Sequence, residues 1–578
     1  MLVMDGTCMK EKWVVAAKKA DFNALGKKFG IDPVIARLIR NRDIIGEEQM
    51  QLYLHGTLSD IPDPHLLADA DRAAVILKEK IAAGARIRII GDYDIDGVTA
   101  TYVLIRCLTS LGARADTYIP DRVLDGYGIH DHLVQRAIED GIDTILTCDN
   151  GIAASSEIRK AKEAGLTVIV TDHHEVPMEE KDGERICILP PADAVVNPRR
   201  PDCPYPNKNI CGAVVAWKVM QVLYDVMGKD PEVLWSLVDI AAIATVGDVM
   251  DLVDENRIIV REGLKKLQQT ENVGLQALIC ACGLQDGPIS AYHIGFILGP
   301  CINASGRIDT AARSLALLCA EDRQEAERIA GELTDLNESR KSMTEAGKEE
   351  AVRLVEEGSL KEDRVLVVYL PDCHESIAGI IAGRLREKYY RPVFVLTPGE
   401  NGVKGSGRSI EAYSMYEEMS KCADLLEQFG GHPMAAGLSM KRSNVVRFRK
   451  RLNENCTLTE DQLTPKVTID VPMPVSYVTR PLIDQLHLLE PFGKANPKPV
   501  FAQKNLSCRN MRIVGKNRSV VRMTAEDENG YQIEAVYFGD AEAFIERAAA
   551  SPIHVIYYPE INRWQGLEKL QITITNYL

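Results

Sequence analysis

Acidic residues and histidines follow three apolar segments, in a pattern that suits the binding of divalent metal ions. They are Asp92, Asp94 and Asp96 after ARIRII, Asp149 after DTILTC, and Asp172, His173 and His174 after LTVIVT. Carboxylates this close together repel one another unless a multivalent cation neutralises them. The alternating aspartates alone could equally form a solvated acidic loop. Their recurrence after three segments favours a metal site.

The apolar segments alternate with helix-like segments, which is typical of a parallel sheet built from βαβ units. We therefore predict strands at 85–90, 143–148 and 166–171. Ligands of a doubly wound sheet bind at the carboxyl ends of its strands, so the acidic residues and histidines are expected to lie together. A helical region is predicted from about Ile210 to Val246, and Asp248 follows it with a further carboxylate.

The mixture of carboxylates and imidazoles, without cysteine ligands, suits Mn²⁺ or Mg²⁺ better than a structural zinc ion. The donors are numerous enough for two ions. Two ions about 4 Å apart that share a bridging carboxylate can activate a water molecule and stabilise the charge of an in-line attack on a phosphodiester. The chemistry indicated is phosphodiester hydrolysis.

Composition limits the kind of protein that can carry this site. The 578 residues suggest about four structural units. With 46% hydrophobic residues and no apolar run of the roughly 20 needed to span a bilayer, we expect no membrane association. The first residues do not resemble a signal peptide, and the 14 cysteines are scattered. We therefore expect a cytoplasmic protein with reduced thiols.

The net charge of −15 confines any contact with nucleic acid to local surfaces. One candidate surface is a segment at 504–522 without Asp or Glu, which contains Lys504, Arg509, Arg512, Lys516, Arg518 and Arg522. The surrounding residues alternate apolar and polar, and Asn529-Gly530 is a hairpin signal, so a β-rich, OB-like domain is predicted. Tyr537, Tyr557 and Trp564 could add base stacking, or they could be core residues beside solvated cations.

Longer sequence stretches resemble a known family. The stretches GDYDIDGVTA, TCDNGI, TDHHEVP and TVGDVMDLVDENR resemble the successive motifs of the DHH phosphoesterase superfamily. IPDRVLDGYG, GFILGPCINASGRID, GSGRSI, FGGHPMAAG and LEPFGKANPKPVF resemble the RecJ family within it, from about residue 30 to the C-terminus. The resemblance implies a single-stranded-DNA-specific 5′-to-3′ exonuclease that releases 5′-mononucleotides by two-metal hydrolysis and acts in recombination and repair.

The resemblance also implies an α/β fold of two αβ domains, DHH and DHHA1, joined by a long helix, with the active site in the cleft between them. A C-terminal OB-like domain completes it. The expected division is an N-terminal helical segment (1–80), a DHH domain (81–313), a connecting helix (314–362), a DHHA1 domain (363–460) and a nucleic-acid-binding domain (461–578). The basic run at 441–451 is expected to be an exposed helix face.

Site roles follow from the matching motifs. The implied metal ligands are Asp94, Asp96, Asp149, His173 and Asp248, with Asp149 as the bridge and with Asp92 and His174 in support or in contact with substrate. The implied contacts to a 5′-terminal nucleotide are Arg122, Tyr127, Arg307, Ser406, Arg408 and His432. Guanidinium groups bind phosphate through paired hydrogen bonds, and we expect the three arginines and Ser406 to lie in glycine-rich turns.

The sequence departs from the family pattern at Asp125, where a glutamate is usual, and at Cys301, where an arginine often contacts DNA. Shorter DHH proteins are oligoribonucleases or cyclic dinucleotide phosphodiesterases, whereas the extra terminal segments here favour a polymer substrate. A replication factor without catalysis is a further alternative, which the complete ligand set disfavours. Single-stranded DNA, a helicase and a single-strand-binding protein are the expected partners of a monomeric enzyme.

Overall fold

The computed structural model describes residues 11–121, 125, 128–181, 184–399, 402–564 and 566–578. Within these ranges no helix is both long and apolar enough to cross a membrane. The cysteines in the same ranges are all free thiols.

The first αβ domain is built on a five-stranded sheet in which every neighbouring pair of strands is parallel. Across the sheet the strands are Arg114–Tyr118, Arg86–Ile90, Thr144–Cys148, Thr167–Thr171 and Ala194–Val196. The helices between strands are Ile95–Ser110, Asp131–Glu139 and Ser155–Glu163, and a hairpin of Met178–Lys181 and Glu184–Cys187 precedes the last strand. The three predicted strands are confirmed to within one residue, because their apolar residues form the buried sheet.

A group of helices completes this domain and confirms the predicted helical region. They are Gly212–Val226, Glu232–Ser236, Val238–Gly247, Asp254–Leu267, Val273–Ala281, Ala291–His293, Gly299–Ile308 and Ala312–Cys319, with a π-helical turn at Ile294–Leu298. The apolar helix Gly212–Val226 is buried along nearly its whole length, and Trp217 is fully buried. These helices therefore fix the position of the sheet edge that carries the acidic residues.

The single helix Arg323–Glu357 connects the two αβ domains and is followed by a short 3₁₀ turn, Ser359–Glu362. The second αβ domain has the strand order Gln428–His432, Ala435–Met440, Gly402–Arg408, Val393–Gly399 and Leu366–Tyr369. Its helices are Glu375–Tyr389, Met415–Ser420 and Val445–Asn455. The last of these carries residues 445–451 of the basic run on a largely exposed face, and Arg442–Asn444 form a 3₁₀ turn just before it.

The C-terminal domain is a closed β-barrel, as the sequence predicts. Its strands are Val471–Pro472, Phe501–Val514, Val520–Glu526, Gln532–Phe538, Leu567–Tyr577 and Ile553–Trp564, in sheet order. Pairing of Phe501–Val514 with Ile553–Trp564 closes the sheet on itself. The helices Arg480–Leu486 and Ala541–Ala550 accompany it, and Gly530 has the positive φ of 80° that its hairpin turn requires.

The described part of the N-terminal segment, residues 11–80, is divided between two cores rather than forming one unit. The strand Lys12–Val15 pairs with Lys466–Ile469, and the helices Phe22–Phe29, Pro33–Asn41 and Glu47–His55 share a hydrophobic core with the C-terminal barrel. Helix Ala70–Ala82, after the 3₁₀ turns Leu58–Asp60 and Pro64–Leu66, packs into the first αβ domain. Local sequence patterns cannot show which distant partner covers an amphipathic helix.

One buried arginine joins these units. Arg257 donates hydrogen bonds to the backbone carbonyls of Tyr53, Leu488 and Leu489 at 3.2, 2.8 and 2.9 Å. Its guanidinium also lies 3.9 Å from the centre of the Tyr53 ring. The N-terminal helices and the segment before the barrel are thereby fixed to the first αβ domain.

Candidate metal centre and cleft

The carboxyl edge of the parallel sheet brings the predicted acidic residues and histidines into one cluster. The Nε2 atom of His173 lies 3.1 Å from Asp149 Oδ1 and 3.6 Å from carboxylate oxygens of Asp96 and Asp248. Three sets of donors are each close enough to hold an ion: Asp92, Asp94 and Asp149; Asp96, His173 and Asp248; and Asp149, His173 and His174. Asp149 and His173 each belong to two of these sets.

The backbone holds the carboxylate of Asp96 in place. Its two oxygens accept hydrogen bonds from the backbone N–H groups of Gly212 and Ala213 at 2.6 and 2.8 Å, at the start of a helix. The N-terminal end of a helix favours an anion, because its N–H groups are unpaired and its dipole is positive there. Asp94 similarly caps the helix Ile95–Ser110 by accepting from the N–H groups of Asp96 and Gly97.

Asp149 adopts a backbone conformation that is uncommon for residues other than glycine, with φ at 60°. Asp149 packs against the first residue of the helix Gly212–Val226, and only a glycine leaves room for it there. A Cβ atom at position 212 would lie 2.7 Å from the Cβ of Asp149. We did not identify Gly212 from the sequence. The only available signal was its position at the start of an apolar helix, which does not reveal a neighbour 63 positions away in the chain.

Asp248 ends the helix Val238–Gly247, and a strained residue follows it. Val249 has a φ of 56°, and its β-branched side chain is exposed. This combination is a backbone outlier of the kind found at functional sites. It turns the chain sharply where the carboxylate of Asp248 meets His173.

Asp172 orients the histidines instead of joining the cluster of donors. Its buried carboxylate accepts hydrogen bonds from the backbone N–H groups of His173 and His174 at 2.7 and 3.1 Å, and from Ile152 N–H at 2.9 Å. It also lies 2.8 Å from His174 Nδ1. Asp172 therefore fixes the loop and the ring of His174, a supporting function that metal sites commonly require.

Burial and crowding of carboxylates dominate the electrostatics of the cluster. Burial, together with the charges of Asp96 and Asp94, raises the pKa of Asp149 well above its usual range and the pKa of Asp248 to about 8. Burial and Asp96 also raise the pKa of Asp94. This excess of negative charge, the absence of thiolate donors and the shared Asp149 all fit a pair of hard divalent cations.

The pKa values of the two histidines are shifted in opposite directions. Burial lowers the pKa of His173, which favours the neutral imidazole that binds metal ions. Burial also opposes protonation of His174, but the hydrogen bond and the charge of Asp172 together outweigh it and raise the pKa of His174 to about 9. His174 lies partly exposed at the rim of the acidic cluster.

A cavity of about 490 Å³ lies on the second αβ domain at its boundary with the first. Tyr93, next to the first aspartates, lines one side, and Ser376, Lys404, Ser406 and Phe429 contribute to the other. Of the predicted end-recognition residues, Ser406 lines this cavity directly. The cavity therefore reaches the first αβ domain at Tyr93, the residue between Asp92 and Asp94.

Arg307 and Arg408 lie near the same boundary. The Nη1 atom of Arg307 donates a hydrogen bond to the backbone carbonyl of Ser376, across the domain boundary, at 2.9 Å. Arg408 is partly buried and lies against Gly379, where an added Cβ would be 3.0 Å from its guanidinium. His432 ends a fully exposed strand of the second domain. Arg122 and Tyr127 lie outside the described residues.

The expectation of glycine-rich turns is wrong for the described members of this set. Arg307 lies in the helix Gly299–Ile308, and Ser406 and Arg408 lie in the strand Gly402–Arg408. The glycines allow close packing instead. A Cβ atom at Gly407 would lie 2.7 Å from Met415 Sδ, and one at Gly306 would collide with the backbone carbonyl of Tyr93.

The basic segment at 504–522 lies on two adjacent barrel strands and the loop between them, and its six cations are exposed. The proposed stacking role of two aromatic residues is wrong. Tyr537 and Tyr557 are buried in the barrel core, and the Tyr557 hydroxyl donates to the backbone carbonyl of Met473. The side chain of Trp564 lies outside the described residues.

Neither departure from the family pattern touches the metal cluster. Cys301 is buried, its Sγ lies 3.8 Å from the Sγ of Cys282, and it accepts a hydrogen bond from Asn337 of the connecting helix. Asp125 accepts a hydrogen bond from the backbone N–H of Asp121 at 2.7 Å.

Comparison with protein families gives three matches in chain order. Residues 86–245 match the N-terminal domain of the DHH family, residues 362–457 match the DHHA1 domain, and residues 469–576 match the RecJ OB domain. Together they cover the two αβ domains and the barrel.

Individual relatives extend the match over nearly the whole chain. The single-stranded-DNA-specific exonuclease RecJ of Bacillus subtilis is 37% identical over 98% of this chain and 70% of its own length. The protein of the same name from Escherichia coli is 31% identical over 94% of this chain and 96% of its own length. The crystal structure of Thermus thermophilus RecJ with Mn²⁺ superimposes with a TM-score of 0.82 at 28% identity, covering 98% of this chain and 79% of that one. The chain belongs to the RecJ family.

Proposed function

We propose that this chain is a metal-dependent exonuclease that degrades single-stranded DNA from its 5′ end and releases 5′-mononucleotides during recombination and repair. The observation that carries the proposal is the cluster of carboxylates and histidines around His173. Tyr93, between two of the aspartates, lines a cavity that the second αβ domain otherwise forms. Membership of a family whose curated members bear the name single-stranded-DNA-specific exonuclease supports the same activity.

The donor set would hold two divalent ions, with Mn²⁺ as the expected ion and Mg²⁺ as a substitute. The proposed ligands are Asp94, Asp96, Asp149, His173 and Asp248, with Asp149 shared between the ions. When bound, such a pair supplies an activated water and neutralises the charge that develops on the phosphate. Asp92 adds a further carboxylate beside Asp94 and Asp149.

The protein's own groups would position the strand. His174 would contact the scissile phosphate, and the hydrogen bond to Asp172 keeps its ring oriented. Arg307, Ser406 and Arg408 would bind the terminal 5′-phosphate, with Arg122 as a further phosphate ligand. Tyr127 would stack on the terminal base, and His432 would approach the phosphates from the second domain. Polarity then arises from binding of the end, because a metal pair alone cleaves any phosphodiester placed in line.

The remaining units would handle the rest of the strand. We propose the division into a DHH domain (81–313), a connecting helix (314–362), a DHHA1 domain (363–460) and an OB-like domain (461–578). The exposed cations at 504–522 would attract the continuing single strand. The enzyme would act as a monomer in the cytoplasm, supplied with single strands by a helicase and a single-strand-binding protein.

The test is digestion of a single strand that carries a fluorophore at its 3′ end and a phosphate at its 5′ end. With Mn²⁺ or Mg²⁺ we expect labelled products that shorten one nucleotide at a time from the 5′ end, together with free mononucleotides. EDTA should stop the reaction, and a blunt duplex of the same sequence should be spared. Loss of the label at the earliest times, or digestion that EDTA does not affect, would contradict the proposal.

A further inference from the structure

Two exposed aromatic side chains precede the helix that carries Arg307. The rings of Tyr292 and Phe296 stack with their centres 4.8 Å apart and their planes 26° apart. The two residues are 62% and 64% exposed, although each has a large apolar surface. Isolated exposed apolar residues are ordinary, but a stacked pair of this kind offers a flat ligand a ready surface.

The pair is attached to the wall of the metal cluster. Phe296 belongs to the π-helical turn Ile294–Leu298, and π-helical turns are frequent at functional sites. This turn packs against the helix Val238–Gly247, which Asp248 ends. A Cβ atom added at Gly295 would lie 3.7 Å from Cγ1 of Val246 in that helix.

A second contact places the turn beside the first aspartates. Added Cβ atoms at Gly247 and Gly299 would lie 2.7 and 3.2 Å from side-chain carbons of Ile95. Ile95 separates Asp94 from Asp96 in the sequence. The π-helical turn and the end of the Asp248 helix therefore converge on the loop that supplies two of the proposed ligands.

The same helical segment continues past the cluster to the proposed end-binding site. Asn303 accepts a hydrogen bond from the backbone N–H of Ile95 at 2.8 Å, and Arg307 reaches Ser376 across the cleft. At about 1.5 Å per residue, Phe296 lies roughly 16 Å from Arg307 along the helix axis. If Arg307 holds the 5′ end, the aromatic pair lies on the other side of the metal cluster, in the direction of the continuing strand.

We propose that Tyr292 and Phe296 form a stacking platform for bases on the 3′ side of the scissile phosphate. This inference rests on the proposed function and adds a substrate contact to it. Bases of any sequence can stack on aromatic rings, which suits an enzyme that must advance along a strand regardless of sequence. The platform would hold the strand in line while each 5′ nucleotide is removed.

The experiment compares two substrates of the full-length enzyme in Mn²⁺. A 5′-phosphorylated dinucleotide is too short to reach the platform, whereas a 5′-phosphorylated 12-mer spans it. For Tyr292→Ala/Phe296→Ala we expect the KM of the 12-mer to rise at least about fivefold, since stacking contributes substantially for each base. Turnover of the dinucleotide should stay within about twofold of wild type.

Two further variants separate stacking from general apolar packing. Phe296→Trp should leave the KM of the 12-mer as low as in wild type, whereas Phe296→Leu should raise it. Val446→Ala, at an exposed apolar position of the second αβ domain, serves as the control and should match wild type. Thermal unfolding of each variant would check that the fold is intact.

A binding measurement tests the position of the contact directly. In EDTA, 12-mers with 2-aminopurine at successive positions should show fluorescence quenching several nucleotides from the 5′ end in wild type, and the double alanine variant should lose it. An unchanged 12-mer KM together with unchanged quenching would overturn the platform and leave the pair as a surface for another protein. Failure of wild type to cut either substrate would instead overturn the proposed function.

Discussion

The two walls of the cleft are built differently. On the first domain the carboxylates of Asp92, Asp96 and Asp149 are buried, and backbone N–H groups at a helix terminus hold Asp96. On the second domain every residue of the strand Gln428–His432 is exposed. Buried, fixed donors suit ions that require a defined geometry, whereas an exposed strand suits a substrate that must enter and leave. We infer that chemistry belongs to the first wall, and that Ser406 and Arg408 of the second domain join Arg307 of the first in recognising the strand end.

The largest expected effect comes from removing the shared carboxylate of the first wall. Asp149→Ala should reduce turnover of a single-stranded substrate to below a few per cent of wild type, because both ions lose their common neutralising ligand. Circular dichroism should show an intact fold. The control is Asp286→Ala, at an exposed aspartate outside the cluster. Turnover well above a few per cent would remove Asp149 from the bridging role.

A smaller but substantial effect should follow from crowding the same wall without changing a ligand. Gly212→Ala places a Cβ atom 2.7 Å from the Cβ of Asp149 and disturbs the helix terminus that holds Asp96. We expect roughly a ten- to hundredfold loss of Mn²⁺ affinity, the usual effect of disturbing the supports of metal ligands. Calorimetric titration with Mn²⁺ would measure it.

The matched control for this substitution is Gly331→Ala, in the middle of the connecting helix. An added Cβ there meets no atom within 4 Å, so the exchange should stabilise the helix slightly and leave Mn²⁺ affinity unchanged. Equal Mn²⁺ affinities for Gly212→Ala and wild type would show that the helix terminus does not position the ligands.

A substitution in the second wall should raise KM, and the rise should differ between strands that end in a 5′-phosphate and strands that end in a 5′-hydroxyl. Arg408→Ala should raise KM for a 5′-phosphorylated strand by roughly ten- to hundredfold, since a hydrogen bond between charged groups contributes about 1.5 to 3 kcal/mol. A strand with a 5′-hydroxyl should be affected much less. Arg384→Ala, on an exposed helix face of the same domain, is the control. An identical loss on both ends would show that Arg408 does not read the terminal phosphate.

The smallest expected effect concerns the barrel surface, which belongs to neither wall. Arg512 and Arg522 are paired neighbours on adjacent strands, and both are exposed. Replacing both with alanine should weaken binding of long single strands a few-fold and reduce the slope of log affinity against log salt by up to about 1.4. Lys341→Ala/Lys348→Ala on the connecting helix is the control. Unchanged salt dependence would rule out phosphate contacts at these two arginines.

These charge substitutions are preferable to deletion of the barrel. The barrel shares its core with Ile35, Leu38 and other residues of the N-terminal helices. The segment just before the barrel also supports the first wall. The backbone carbonyl of Lys494 accepts a hydrogen bond from the backbone N–H of Leu252 at 2.9 Å. Deletion of residues 464–578 would therefore expose a core and disturb the surroundings of Asp248, in addition to removing a DNA-binding surface.

The first wall could be predicted from the sequence to a large extent, because its information is local. Apolar strands, acidic residues at their ends and the carboxyl edge of a parallel sheet follow from short patterns. The proximity of Asp149 and His173 follows from that edge, whereas Asp248 lies at the end of a helix. The contact of Gly212 with Asp149 and the hydrogen bond from Ile152 to Asp172 could not be predicted, because they depend on which distant residues meet in three dimensions.

The second wall and the barrel were harder to predict for related reasons. Glycines beside Arg307 and Arg408 indicate either turns or close packing, and only the neighbouring residues decide between them. Alternation in the barrel predicts strands but not which side faces the core, so Tyr537 and Tyr557 could not be recognised as core residues. The N-terminal helices gave no indication that the C-terminal domain would cover their apolar face.

The claim that a strand end must be bound before cleavage is tested most directly with two substrates of the same sequence. One is a circular single strand and the other is a linear 5′-phosphorylated strand. Incubation of both with enzyme and Mn²⁺ would be followed by release of mononucleotides. If the second wall must bind a strand end before the first wall can cleave, the linear strand should be degraded completely and the circle should persist. Comparable rates of release from the two substrates would contradict the account.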